Sequence, residues 1–318
     1  MALTLNSTKL EALQQLLLQR AAIARSLSKF SVMLLVSSVF VYVNSVMFVA
    51  LLSKPVFRET PRYILFTHML CNDSIMIVFT VLISVVSYGH RRPTKATCSL
   101  VMILTTSTAT NAPLNLGVMS LERYTAICFP LRHSQLATTR RTYVAIVGIW
   151  FFGLLNPVAD SVYSSIVDPE FFLQRVKCGH ERMFRTAPWQ TSLSHSVSGL
   201  YYVTVTLVIL FSYINVVRVA RSASSNDKST GKAHRTLLLH LVQLVLCLNT
   251  LLYSHTISFM AAFLSQEVYS DVRYGIYLLA ILLPRCLSPL IYGMRDEAVR
   301  HLFVQFLKCT LSRVKPIV

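Results

Sequence analysis

A chain of 318 residues with 54% apolar and 14% charged content and a mean hydropathy of +0.56 is too apolar for a water-soluble domain and far too apolar for a disordered one. The formal charge of +17 does not signal nucleic acid, because the cations lie between apolar runs; lipid headgroups and protein partners are their expected counterparts. The seven cysteines hold no pair at zinc-ligand spacing and most fall inside apolar runs, which excludes a metal centre and points to buried thiols.

Residues 1–29 mix Leu, Gln, Arg and Ser. They lack a cation-rich start followed by a small-residue cleavage site, so a removable signal peptide is not expected. Leu10–Leu27 can form a short amphipathic helix. Asn6 opens Asn6-Ser7-Thr8, a glycosylation sequon that suits an outside amino end, although sequons also arise by chance.

Seven apolar segments follow, at about 30–53, 61–88, 97–128, 141–162, 194–221, 234–264 and 272–293, each long enough to cross a bilayer as a helix. The chain thus divides into an amino-terminal segment 1–29, a seven-span domain 30–293 and a tail 294–318. An odd number of spans puts the two ends on opposite sides. Lys and Arg outside the spans lean weakly toward an inside tail.

Polar residues inside the spans carry the functional signal. Asn44 in the first span seeks an interhelical hydrogen bond, and Asp73 in the second is an intramembrane carboxylate that must face the bundle. The third span holds Thr105-Thr106-Ser107-Thr108-Ala109-Thr110-Asn111 and then Asn115. Such hydroxyls either meet a small polar ligand or bond back to their own carbonyls. In the seventh span Arg285 lies one turn before Pro289 and requires a carboxylate or many carbonyls. Asp73 lies at similar depth, so an Asp73–Arg285 pair is expected, with Asn111 or Asn115 alongside. The alternative turns Arg285 toward carbonyls or an outer cavity.

The third span ends in Met119-Ser120-Leu121-Glu122-Arg123-Tyr124-Thr125-Ala126-Ile127-Cys128-Phe129-Pro130-Leu131-Arg132-His133. A carboxylate beside a guanidinium at the edge of an uncharged run belongs at the membrane face, each partly neutralising the other. These residues resemble the end of the third helix of odorant receptors, especially the fish-type ones, a branch of the rhodopsin-like G-protein-coupled receptors. Pro284-Arg285-Cys286-Leu287-Ser288-Pro289-Leu290-Ile291-Tyr292 resembles the family's seventh-helix motif, with Ser288 in place of the usual asparagine. Lys232-Ala233, Thr236 and His240-Leu241 resemble its sixth-helix pattern, although Cys247-Leu248 stands where an aromatic pair is usual.

The resemblance implies an all-α membrane protein, a rhodopsin-like seven-transmembrane helix bundle with a short amphipathic helix after the seventh span. In that helix Leu302, Phe303, Phe306 and Leu307 share a face. It implies a coupling switch at Glu122, Arg123, Tyr124, Pro289 and Tyr292, and a disulfide between Cys98 and Cys178. Ligand contacts are expected from Thr105, Thr106, Ala109, Thr110, Asn249 and Tyr253 in a cavity between the third, fifth, sixth and seventh spans. Many relatives hold sodium at the position of Asp73, and Arg285 argues against sodium here.

The implied partners are a small-molecule odorant, a heterotrimeric G protein of the olfactory Gs type and membrane lipids, with no nucleic acid. No cofactor is expected, since no lysine in the seventh span offers a retinal Schiff base. The expected location is the plasma membrane, multi-pass, with the amino end extracellular and the carboxyl end cytoplasmic. A receptor for a non-odorant small ligand is the alternative. A transporter would need a duplicated half, and an enzyme clustered acids, histidines or a nucleophile with its base. The sequence has neither.

Overall fold

The computed structural model describes residues 2–88, 92–176, 178, 188–222, 242, 245, 256–257, 259–285, 287 and 297–314. Most of the expected sixth span and the stretch holding Pro289 and Tyr292 lie outside these. Among the described residues the regular structure is helical: α1 Ala2–Leu52, α2 Pro55–Glu59, α3 Pro61–Tyr88, α4 Lys95–Cys128, α5 His133–Leu136, α6 Thr139–Val167, α7 Pro188–Ser222, α8 Gln266–Ile276 and α9 Glu297–Val314, with a π-wound turn Tyr277–Leu282 after α8.

Local chemistry sets the boundaries. Pro55 and Pro61 open α2 and α3, where a missing N–H costs nothing. Thr94 and Thr138 cap α4 and α6 by accepting from the backbone N–H of Thr97 at 3.4 Å and of Arg141 at 3.3 Å. The expected outer segment and the first span share one helix: α1 runs unbroken for 51 residues. Residues 1–54 contain no glycine or proline, so nothing stops the helix where the composition changes. At 1.5 Å per residue α1 is about 76 Å long, more than twice the roughly 30 Å of bilayer hydrocarbon.

Four helical stretches, Leu13–Leu52, Pro61–Val86, Thr139–Val167 and Ser192–Val219, are long and apolar enough to cross a membrane. Their outward faces carry exposed Leu35, Val144, Val147, Phe151, Leu200 and Val203, as lipid-facing surfaces do. The polar run Thr105–Asn111 lowers the hydropathy of α4, and α4 is the helix that packs against α3, α6 and α7 together. A helix with buried Ser107, Thr108, Asn111 and Asn115 needs protein neighbours, because lipid offers no hydrogen bonds.

The largest apolar cluster lies at the Arg123 end. It joins Met47 and Leu51 of α1, Phe57 of α2, Leu65 and Phe66 of α3, Met119 of α4, and Val299 and Phe303 of α9. Leu302 and Phe306 of α9 pack against its edge. At the other end of α4, Cys98 is bonded to Cys178, and Phe171 packs on that disulfide with Met102. A β-bridge pairs Thr94 with Arg175 beside it. The loop leading to Cys178 is therefore tied to α4 by both covalent and backbone bonds.

Candidate functional site

Polar side chains line α4 from the disulfide to its charged end. Nearest the disulfide, the Thr-rich run satisfies itself: Thr105 donates to Val101 O at 2.9 Å, Ser107 to Ile103 O at 2.6 Å, Thr108 to Leu104 O at 2.8 Å and Thr110 to Thr106 O at 3.2 Å. This is the back-bonding alternative for hydroxyls in apolar helices. Thr106 and Ala109 are half-buried. Asn249 and Tyr253 lie outside the described residues.

Deeper in the helices, Arg285 Nη1 lies 2.7 Å from Asp73 Oδ1, and the two side chains are 7% and 4% exposed. A buried guanidinium and carboxylate hold together because either alone would face a large desolvation penalty. Asn72 donates to Thr108 O at 2.8 Å, tying α3 to α4 beside the pair. Asn44, fully buried, donates to Ser74 Oγ at 3.2 Å and ties α1 to α3. The pair sits just after the π-wound turn, a local irregularity of the kind that collects at functional positions.

Of the expected companions of the pair, Asn111 lies 3.3 Å from Asn72 Oδ1, and Asn115 bonds elsewhere. Asn111 turns toward α6, where its amide nitrogen reaches Ile149 O at 3.0 Å and Ser107 O at 3.1 Å. Its side chain and Ser107 O occupy the space in which a Cβ on Gly153 would stand, so only glycine admits this approach of α4 and α6. Asn115 belongs to a network spanning three helices. Trp150 Nε1–H can only donate, and it lies 3.0 Å from His68 Nε2. His68 Nδ1 therefore carries the ring's proton and donates to Asn115 Oδ1 at 3.1 Å, while Asn115 Nδ2 donates to Leu65 O at 3.2 Å.

At its far end α4 presents the charged triplet. Glu122 Oε2 lies 3.7 Å from Arg123 Nε, and Glu122 Oε1 lies 3.4 Å from His133 Nε2 of α5. One carboxylate thus faces two basic side chains, Arg123 on its own helix and His133 beyond its end. Tyr124 is wedged edge-on between Phe129 at 5.6 Å and Phe211 of α7 at 5.4 Å. Pro289 and Tyr292 lie outside the described residues.

Sequence reasoning missed His68 with Trp150, the Asn111–Gly153 approach and the turn of His133 onto Glu122. A histidine and a tryptophan inside apolar runs were the available signals, but nothing in their spacing pairs them.

A bundle of apolar helices around a polar central one, closed at one end by a disulfide and ending at the other in Glu-Arg-Tyr, is the architecture of a membrane protein. The family model of the seven-transmembrane receptors of the rhodopsin family matches residues 25–292. The chain belongs to that family, which is one of signalling receptors. Among similar proteins, Odorant receptor 131-2 of Danio rerio is 30% identical over 271 residues, covering 81% of this chain and 79% of its own. Olfactory receptor 13C2 of Homo sapiens is 25% identical over 77% of this chain and 80% of its own. Olfactory receptor-like protein COR2 of Gallus gallus is 24% identical over 79% and 81%.

Proposed function

We propose that the chain is an odorant receptor of the plasma membrane. Seven spans form its bundle, with the amino end and Cys98–Cys178 outside and the carboxyl end in the cytoplasm. Residues 1–29 form the outer segment, with Asn6 glycosylated, and residues 294–318 the inner tail, whose α9 lies along the lipid surface. A small-molecule odorant binds in the outer half of the bundle, with Thr106, Ala109, Asn249 and Tyr253 among its contacts. Because Thr105 and Thr110 spend their hydroxyl protons on backbone carbonyls, they offer a ligand only acceptor lone pairs.

The observation that carries this reading is the shared carboxylate at the end of α4. Glu122 holds Arg123 at 3.7 Å and His133 at 3.4 Å, a contact long enough to be exchanged for a partner's carbonyls when the bundle opens. Ligand binding shifts the balance toward the open state only by as much as it binds that state more tightly. A heterotrimeric G protein of the Gs type then occupies the cleft next to Arg123, with Tyr124, Pro289 and Tyr292 moving as the cleft forms.

The test is a cyclic AMP assay in cells displaying the full chain, challenged with amines, amino acids, carboxylic acids and steroids. At least one compound raises cyclic AMP dose-dependently, and Arg123→Ala abolishes the response while surface display is kept. A silent wild type across the panel, with surface display verified, overturns the reading. A calcium signal in its place reassigns only the G-protein class.

A further inference from the structure

A cavity of about 940 Å³ opens between the outer part of α1, the end of α3, Cys178 and α8. It is bounded by helices other than α4, so it is separate from the Thr105–Thr110 face. Its volume falls in the range of small-ligand sites. The walls formed by Met33, Phe30 and Ile83 are apolar, while α8 supplies Arg273 and α1 supplies Lys29.

The two cations differ in what already holds them. Lys29 is ion-paired with Asp271, reaches Ser270 Oγ at 3.4 Å, and its carbonyl accepts from Tyr274 Oη at 2.8 Å. It is committed to joining α1 to α8. Arg273 lies 5.8 Å over the Tyr269 ring and, among the described residues, makes no ion pair. A planar guanidinium with five donors, set at the rim of a cavity with an apolar wall of Phe30, Met33 and Ile83, presents the fork that binds a carboxylate bidentately.

We propose that this cavity binds a small amphipathic carboxylate, its head on Arg273 and its apolar body between Phe30 and Met33 of α1 and Ile83 of α3. Lys29 and its Asp271 partner close the site on the α8 side and position α1 for it. The inference deepens the receptor reading by naming a ligand class, and rests on that reading for signalling though not for binding.

The test uses the full chain in lipid nanodiscs and a panel of linear and aromatic carboxylates of about six to twelve carbons, sized to such a cavity, each beside its own neutral amide. At least one acid raises the thermal unfolding midpoint saturably, and its amide does not. Arg273→Gln raises the half-saturating concentration about tenfold or more, the scale of one charge-assisted hydrogen bond. Arg273→Lys recovers part of the loss. Ala22→Trp, which fills the cavity from α1 without touching a charge, abolishes the effect and decides the matter should Arg273→Gln fail to fold.

No saturable acid, amides that act equally, or a response unchanged in Arg273→Gln or in Ala22→Trp overturns the site. Nucleotide exchange on a G protein is followed in parallel. Acid binding without exchange for any compound keeps the site and sinks the receptor reading; exchange driven by neutral compounds alone does the reverse.

Discussion

Arg285 reaches from the helix that follows the π-wound turn to Asp73 of α3 and places Nη1 2.7 Å from Oδ1, with water almost excluded from both groups. The guanidinium brings a built-in positive charge to the carboxylate, so no free cation is needed there. Removing one partner leaves the other buried and uncompensated, at a cost of about 3–5 kcal/mol. Asp73→Asn and Arg285→Gln are each expected to lower surface display sharply, and the exchange Asp73→Arg with Arg285→Asp to display better than either. A second readout follows from charge balance: agonist potency stays the same when sodium is replaced by choline. A double exchange no better than the single changes rules out the pairing as a stabilising contact.

The Trp150–His68–Asn115 chain makes a different prediction, because each member has a fixed role as donor or acceptor. Trp150→Phe keeps the aromatic volume but leaves His68 Nε2 facing apolar surroundings, a loss of about 1–3 kcal/mol. His68→Asn, which still offers a donor and an acceptor, recovers part of it. The check is the thermal midpoint of the detergent-solubilised receptor. Trp150→Phe melting with the wild type removes the network from the account of how α3, α4 and α6 are held.

How much of this was legible beforehand depended on whether one residue alone demands a partner. A guanidinium in an apolar run demands a carboxylate, and Asp73 stood at matching depth, so the two could be associated from the chain alone. Glu122 beside Arg123 was likewise visible as a pair at a helix end. His68 demanded nothing specific, because a histidine can satisfy itself in many ways, and only three-dimensional packing brings Trp150 to it. Asn111 reaches both Asn72, beside the pair, and Ile149 O of α6; the second contact was not legible, because a sequence gives depth along a span and not azimuth. The continuity of α1 through residue 30 is not legible in composition, because a helix ends at glycine, proline or a cap and not where polarity changes.

Gly153 makes the approach of α4 to α6 possible. A methyl group there would stand where the Asn111 side chain and Ser107 O already are. Gly153→Ala therefore displaces a buried amide from its carbonyl partners and separates the helices, costing about 1–3 kcal/mol. Gly148 of the same helix has open space around the equivalent position, so Gly148→Ala serves as the control and melts with the wild type. Equal midpoints for the two variants would remove the close approach from consideration.

The α1–α8 junction should weaken in acid. The hydrogen bond from Lys29, aided by its charge and that of Arg25, holds the Asp271 carboxyl below the usual carboxylate range. A lowered value in the folded state means the contribution is present above the ordinary carboxylate value and is lost as the pH falls through the lowered one. The difference in unfolding midpoint between wild type and Asp271→Asn is expected at neutral pH, should begin to shrink as the pH falls below the ordinary carboxylate value of about 4, and vanishes only below the lowered value of the folded protein. A difference that stays constant over that range means that Asp271 acts there without its charge.

The arrangement around Glu122 predicts effects of opposite sign. Arg123 faces one carboxylate oxygen at 3.7 Å and His133 the other at 3.4 Å, so the two compete for one negative charge. Glu122→Gln removes the charge that restrains Arg123, and signalling without ligand should rise severalfold, since one relaxed contact of about 1 kcal/mol shifts a two-state balance by that much. His133→Leu removes the competitor instead. Glu122 is then left to Arg123 alone, and basal signalling should fall below wild type. Surface display, measured alongside, separates coupling from folding, and the ligand response of His133→Leu should survive at a higher ligand concentration. If both substitutions move basal cyclic AMP in the same direction, Arg123 and His133 do not compete for the carboxylate, and His133 acts only in positioning the loop after α4.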